Sequence, residues 1–351
     1  MGIFTGSYIT TIFCLLAAFL WGEHVEAGTG FTCVFIAAVL GILEVSLSFD
    51  NAVVNAAKLE KMTEVWQKRF ITWGIAIAVF GMRLLFPLLI VSIFAGIDFI
   101  NVLPMALNEP LEYAKYLHKS HTAVVSFGGA FLLMLFLNFI TSKREHLWIK
   151  PIEKPLAKLS GIKYIDVFVT MLVICFTLAI NPIEKTNEIF IPGVAGALIF
   201  SLINLLANFI ENKEEANVST TVGNVAKGGF ISFLYLELID ASFSLDGVLG
   251  AFALSSDIVI ISLGLCIGAI FVRSLTIMLV RKKTLKSFVY LESGAHWAIA
   301  VLAIIMFVST TIEIPEVITA ISGLILILAS LYSSVKHNKQ ESLSSATQQN
   351  S

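Results

Sequence analysis

Charge is scarce in this 351-residue chain: 14% of residues are Asp, Glu, Lys or Arg against 57% hydrophobic, and the mean hydropathy is +0.88. That balance excludes an ordinary soluble domain and implies a lipid bilayer as the partner. Basic residues are missing altogether before Lys58. A secretory signal peptide needs a basic start, so the first apolar segment, 5–21, reads as a retained span. No basic run is interleaved with aromatics, which excludes a nucleic-acid surface. Cysteine is rare too: Cys14, Cys33, Cys175 and Cys266 are scattered through apolar segments without metal or redox spacing, and read as small buried side chains. With no nucleophile–base pair, nucleotide loop or His-rich cluster, neither enzyme activity nor a resident cofactor is expected.

What is present is a series of apolar segments at about 5–21, 31–57, 70–95, 121–140, 165–180, 189–210, 228–254, 258–280, 294–310 and 316–333, each spanning or nearly spanning a bilayer. The expected class is therefore an all-α polytopic membrane protein with about ten transmembrane helices. Loop charges agree with that count, because cytoplasmic loops collect Lys and Arg. Lys58, Lys61, Lys68 and Arg69 follow the second segment, Lys143 to Lys163 the fourth, Lys213 and Lys227 the sixth, and Arg281 to Lys286 the eighth. The intervening loops are mildly acidic, so both termini are expected in the cytoplasm. The chain divides into a first membrane repeat over 1–140, completed less securely by 165–180, a cytoplasmic linker over 141–164, the remaining spans over 165–333, and a Ser- and Gln-rich tail over 334–351 expected to be disordered. The connection 96–120 reads as external, with room for a short interfacial helix or a re-entrant piece.

An internal repeat organises these segments. Glu44-Val-Ser-Leu-Ser48-Phe-Asp50-Asn51 in the second returns as Asp240-Ala-Ser-Phe-Ser244-Leu-Asp246-Gly247 in the seventh, and the stretch Gly74 to Arg83 returns as Gly264 to Arg273. A displacement of five spans is odd, so the second copy is expected to be inverted across the membrane. Two inverted five-helix repeats are a transporter architecture, with the substrate held near the midplane.

The chemistry follows from where the acids sit. A carboxylate in mid-bilayer costs several kcal/mol on insertion scales, so a duplicated set is a functional hypothesis first. Oxygen ligands from Glu44, Asp50, Asn51, Asp240 and Asp246, with Ser48, Ser244 and Glu237 as weaker candidates, suit Mg²⁺, Mn²⁺ or Ca²⁺. Residues six apart point to different sides of an intact helix. Breaks are therefore expected at Asp50-Asn51 and Asp246-Gly247, where Asp, Asn and Gly are poor helix-interior residues. Arg83 and Arg273 are expected to balance the acids: four motif carboxylates less two guanidiniums leave the charge that one divalent cation cancels. Glu237, whose counterpart is Gly41, is a surplus carboxyl that a proton could occupy, making H⁺ the candidate coupling ion. His121 and His296 stand outside the expected ligand shell. Oligomeric state is not legible.

Glu44 to Ala52, Glu237 to Val248 and Tyr290-Leu-Glu-Ser-Gly-Ala-His296 together resemble the TerC superfamily, and most closely its DUF475 branch of bacterial membrane proteins, over about 31–310. The resemblance implies Mn²⁺ efflux across a bacterial plasma membrane, with Glu44, Asp50, Asp240 and Asp246 as the acidic core. The competing expectation is a non-transporting accessory protein of tellurium, oxyanion or envelope-stress resistance, although a scaffold has no need of duplicated intramembrane acids. This sequence departs from the common pattern in placing Gly247 where many relatives have Ser, and in having no regulatory domain after the last span.

Overall fold

The computed structural model describes residues 2–144, 146–216, 222–312 and 314–349. Among them the chain is helical, with no strand. In chain order the helices are α1 (Thr5–Val25), α2 (Gly30–Leu47), α3 (Phe49–Glu60), α4 (Glu64–Ala76), a π-helical segment (Ile77–Leu85), α5 (Phe86–Ala95), α6 (Phe99–Asn108), α7 (Pro110–Thr141), α8 (Lys150–Ala157), α9 (Ile165–Ile180), α10 (Thr186–Ala216), α11 (Val222–Leu254), α12 (Ile258–Arg281), α13 (Thr284–Ser287), α14 (Leu291–Ser309) and α15 (Glu316–Gln349).

Seven of these are long and apolar enough to cross a bilayer, or eight if the bent pair Glu64–Gly74 and Ile77–Ile93 is one span. Two expected spans stand outside that set. One is α9, whose 16 residues reach about 24 Å against roughly 30 Å of hydrocarbon. The other is α11, a 33-residue helix that covers the expected 228–254. The outward faces carry Phe13, Phe31, Phe35 and Phe176, all exposed, while the polar side chains Glu44, Arg83, Asp240 and Arg273 are buried. Apolar outside and charged inside is what lipid demands, so the chain is a multi-pass helical membrane protein.

α7 is the axis of the bundle: its apolar window is 83% buried, compared with 22% for α1. α10, α14 and α11 pack around it, with the Phe131 and Phe200 rings edge to face at 5.5 Å across the α7–α10 contact. α6 supplies the short helix expected between 96 and 120.

Three expectations about local structure are corrected. The first motif breaks at Ser48 (φ −102°, ψ 16°), not at Asp50-Asn51. Asp50 instead falls in the first turn of α3, where a negative charge favours a helix start. The second motif does not break: α11 continues as helix through Asp246 and Gly247. The tail, expected to be disordered over 334–351, continues α15 to Gln349, since no Gly or Pro stops it after Gly323.

The third expected segment is the most distorted. Its two halves meet at 47° next to Gly74, and the π segment follows. Pro87, at the start of α5, has no N–H to give the Arg83 carbonyl, and its ring crowds that carbonyl. A widened ladder just upstream is a physical response to that lost bond, and π-turns gather at functional sites.

The linker 141–164 is fastened down. The Glu153 carboxylate on α8 is fully buried; it accepts from the Trp148 and Ile149 amides (3.1 and 3.2 Å) and from Trp297 Nε1 on α14 (2.9 Å), and it pairs with Arg144 at 3.2 Å. Burial lowers the Arg144 pKa, against the pull of Glu153 in the other direction.

Candidate functional site

The two copies of the acidic motif meet through one arginine. Arg83, at the end of the π segment, reaches Glu44 Oε1 on α2 with Nη2 at 2.6 Å and Asp240 Oδ2 on α11 with Nη1 at 3.1 Å. Nη1 also donates to the Ala78 carbonyl at 3.1 Å. All three side chains are buried. Glu44 and Asp240 occupy matching positions in the repeat, so equivalent acids share a single guanidinium, a charge-assisted arrangement that a planar fork suits.

Two further predicted residues join them. Asn51 Nδ2 donates to Asp240 Oδ1 at 2.7 Å, and Ser48 Oγ donates to Glu44 Oε1 at 3.3 Å. Asn51 Oδ1 is buried without a hydrogen-bond partner among the described residues, which leaves a neutral oxygen beside the acids. Ser48 is the residue at which α2 ends, so the interruption itself brings its hydroxyl to the site.

Glycines make the close approach possible. A β-carbon at Gly247 would lie 2.6 Å from Glu44 Oε2, and one at Gly268 of α12 would lie 2.4 Å from both Glu44 Cβ and Cγ. Glu44 therefore threads between α11 and α12 through space that only glycine leaves open. The missing side chain of Gly247 is the room that Glu44 occupies.

The second arginine makes a separate, looser pair. Arg273 Nη2 donates to the Gly74 carbonyl at 2.6 Å, at the bend in the third expected span, and its guanidinium lies 3.9 Å from the Phe70 ring centroid. Glu237 is 3.5 Å from the same Nη2, and neither of its oxygens has a hydrogen-bond partner among the described residues. Both arginines thus face acids rather than lipid, Arg273 through Glu237 and not through one of the four core carboxylates.

Asp50 has a local bond. Its Oδ1 accepts from the Asn51 amide at 2.9 Å, and the residue lines a narrow crevice with Leu302, Thr319 and Gly323 on α14 and α15. The side chains of Ser244 and Asp246 lie outside the described residues. Among the described residues, no three His, Cys, Asp or Glu side chains are arranged as a metal shell. The position between Glu44 and Asp240 is taken by Arg83. His296 Nδ1 meets the Glu292 carbonyl at 2.8 Å and its ring stacks on Phe139 at 3.5 Å.

Glu153, Gly74 and Gly268 were not legible as site or anchor residues. Glu153 looks like one more charge in a polar linker, and only the Trp297 contact, 144 positions away, shows otherwise.

A family model described as "Protein of unknown function (DUF475)" matches residues 49–341. No curated protein and no solved structure matches the chain.

Proposed function

The chain belongs to the DUF475 family, and we propose that it is a secondary transporter exporting a divalent cation, Mn²⁺ in the first instance, through a buried carboxylate site at Glu44 and Asp240. The observation that carries this reading is the bridge by Arg83: equivalent acids of two motif copies converge on one positive charge, at 2.6 and 3.1 Å, in a lipid-embedded bundle. Buried carboxylates need a cation, and here the three groups together keep one negative charge in excess. Neutral oxygens of Asn51 and Ser48 stand beside them, a hard-ion ligand set.

The packing supports a transporter built from two five-helix repeats and ten spans. α2 of the first copy packs on α12 of the second, and α11 of the second packs on α4 and the π segment of the first, so the crossed contacts are reciprocal. Cytoplasmic termini follow from the alternation of basic loops, and a bacterial plasma membrane from the resemblance to the TerC superfamily. Export, the choice of Mn²⁺ and exchange against H⁺ follow from the resemblance of the motifs to the TerC superfamily and from the surplus carboxyl of Glu237.

The test is Mn²⁺ flux in proteoliposomes containing the full chain, with D240N alongside and both normalised to inserted protein. Flux that depends on Asp240 supports the reading. Flux equal to that of empty vesicles, for Mn²⁺, Ca²⁺ and Mg²⁺ alike, would favour a non-transporting accessory role.

A further inference from the structure

The guanidinium of Arg83 sits where a transported cation would have to sit. Both Glu44 and Asp240 are committed to it, so the acids are neutralised from within the chain and a metal gains access only if the arginine leaves. A buried arginine cannot leave for lipid, because an unpaired charge there costs several kcal/mol. It needs a second carboxylate within reach.

Glu237 answers that need. It lies three residues before Asp240 on α11, hence on the same face and about 4.5 Å along the axis. It stands one turn from Asp240, to which Arg83 is already bonded at 3.1 Å. It is also under-committed: Arg273 spends its short bond on the Gly74 carbonyl and its face on Phe70, standing 3.5 Å off, and neither Glu237 oxygen has a hydrogen bond among the described residues. A buried carboxylate whose two oxygens accept no hydrogen bond among the described residues has acceptor capacity in reserve for a second cation.

We propose that Arg83 is a tethered cation, which occupies the Glu44–Asp240 pair when no metal is bound and yields it by swinging one turn along α11 to Glu237. With the metal in place, Glu44, Asp240 and one divalent ion are neutral together, and Asn51 Oδ1 becomes available as a further ligand. The π segment that carries Arg83 is the element suited to accommodate the movement, since its ladder is already widened. The inference rests on the transporter reading and deepens it: Arg83 and Glu237 become positioning residues for the cation, not ligands of it.

Mn²⁺ binding to the purified full-length protein in detergent, followed by the loss of the free-ion paramagnetic resonance signal, tests this directly. R83Q should bind Mn²⁺ at least about tenfold more tightly than the native chain, because its internal competitor is gone. E237Q should bind more weakly by a similar factor, because the arginine has lost its second seat. The R83Q/E237Q double variant should match R83Q, since Glu237 acts only through Arg83. R83K, which keeps the charge but cannot hold two carboxylates with one fork, should fall between native and R83Q and decides the matter if R83Q does not fold. Weaker binding by R83Q or R83K, or an E237Q deficit that persists without Arg83, overturns the exchange while leaving the transporter reading intact. Absence of Mn²⁺ and Ca²⁺ binding in every variant, native included, overturns both.

Discussion

The indole of Trp297 on α14 donates to the carboxylate of Glu153 on α8 at 2.9 Å, which ties the linker between the halves to a helix of the second half. Because Glu153 is fully buried and accepts four groups, its removal strands Arg144 and three N–H donors.

E153A should therefore destabilise the protein by about 3–5 kcal/mol, the range for breaking one side of a buried ion pair. Limited proteolysis checks it: cleavage should appear within 141–164 in E153A, be weaker in E153Q, and be absent from the native chain. Equal resistance in all three would show that the linker is held by other contacts.

Gly247 sets the second expectation. G247A should place its β-carbon against Glu44 Oε2 and G247N should be worse, both lowering thermal stability and Mn²⁺ flux. Shortening the acid should give the space back, so E44D/G247A should be closer to native in melting temperature than G247A alone. A double variant no better than the single one would place the clash elsewhere.

Arg83 and Asp240 should respond differently to neutralisation. The trio Glu44, Asp240 and Arg83 carries one surplus negative charge, so D240N leaves a balanced Glu44–Arg83 pair and should insert normally while losing flux. R83Q leaves two buried carboxylates facing each other and, in the absence of metal, should lower membrane abundance; 1 mM Mn²⁺ in the growth medium, ~1 mM being a concentration at which even weak sites fill, should restore it. Quantitative immunoblotting of membranes beside the flux assay separates the two. Abundance lost in D240N and retained in R83Q would reverse the charge argument.

Topology is checked by labelling. A cysteine at Lys158 should react with a membrane-impermeant maleimide only after the cells are opened, and one at Glu109 should react in intact cells, as alternation of the basic loops requires. Labelling of both positions in intact cells would end the cytoplasmic assignment of the linker.

Much of the site was legible because burying charge in lipid is costly enough to make every acid and arginine conspicuous. Glu44, Asp240 and Arg83 could be chosen from sequence for that reason, Asn51 and Ser48 as neutral oxygens beside the acids, and the structure brings the five together. What composition could not show is pairing across the two copies. Nothing in the motif says that Arg83 serves an acid from each half, or that Arg273 would be drawn off by Gly74 and Phe70. Helix breaks were misplaced because residue propensities describe an isolated helix: Asp50 starts α3 as readily as it could end α2, and Gly247 lies in unbroken helix because its role is clearance. The tail was misjudged for a related reason, since polar composition alone does not forbid helix when Gly and Pro are absent.

Asn51 and Gly247 occupy matching positions in the two motif copies, and their partners match as well: Asn51 reaches Asp240, while Gly247 makes way for Glu44. The longer acid faces the residue with no side chain, and the shorter acid faces an amide. The longer acid is thus matched with the shorter partner. In the genomes that carry this family, positions 44 and 247 should consequently covary, as should 240 and 51: lineages with Asp at 44 should acquire a side chain at 247, and those with Glu at 240 should lose one at 51. The two pairs of positions would then be free in sequence and bound in length.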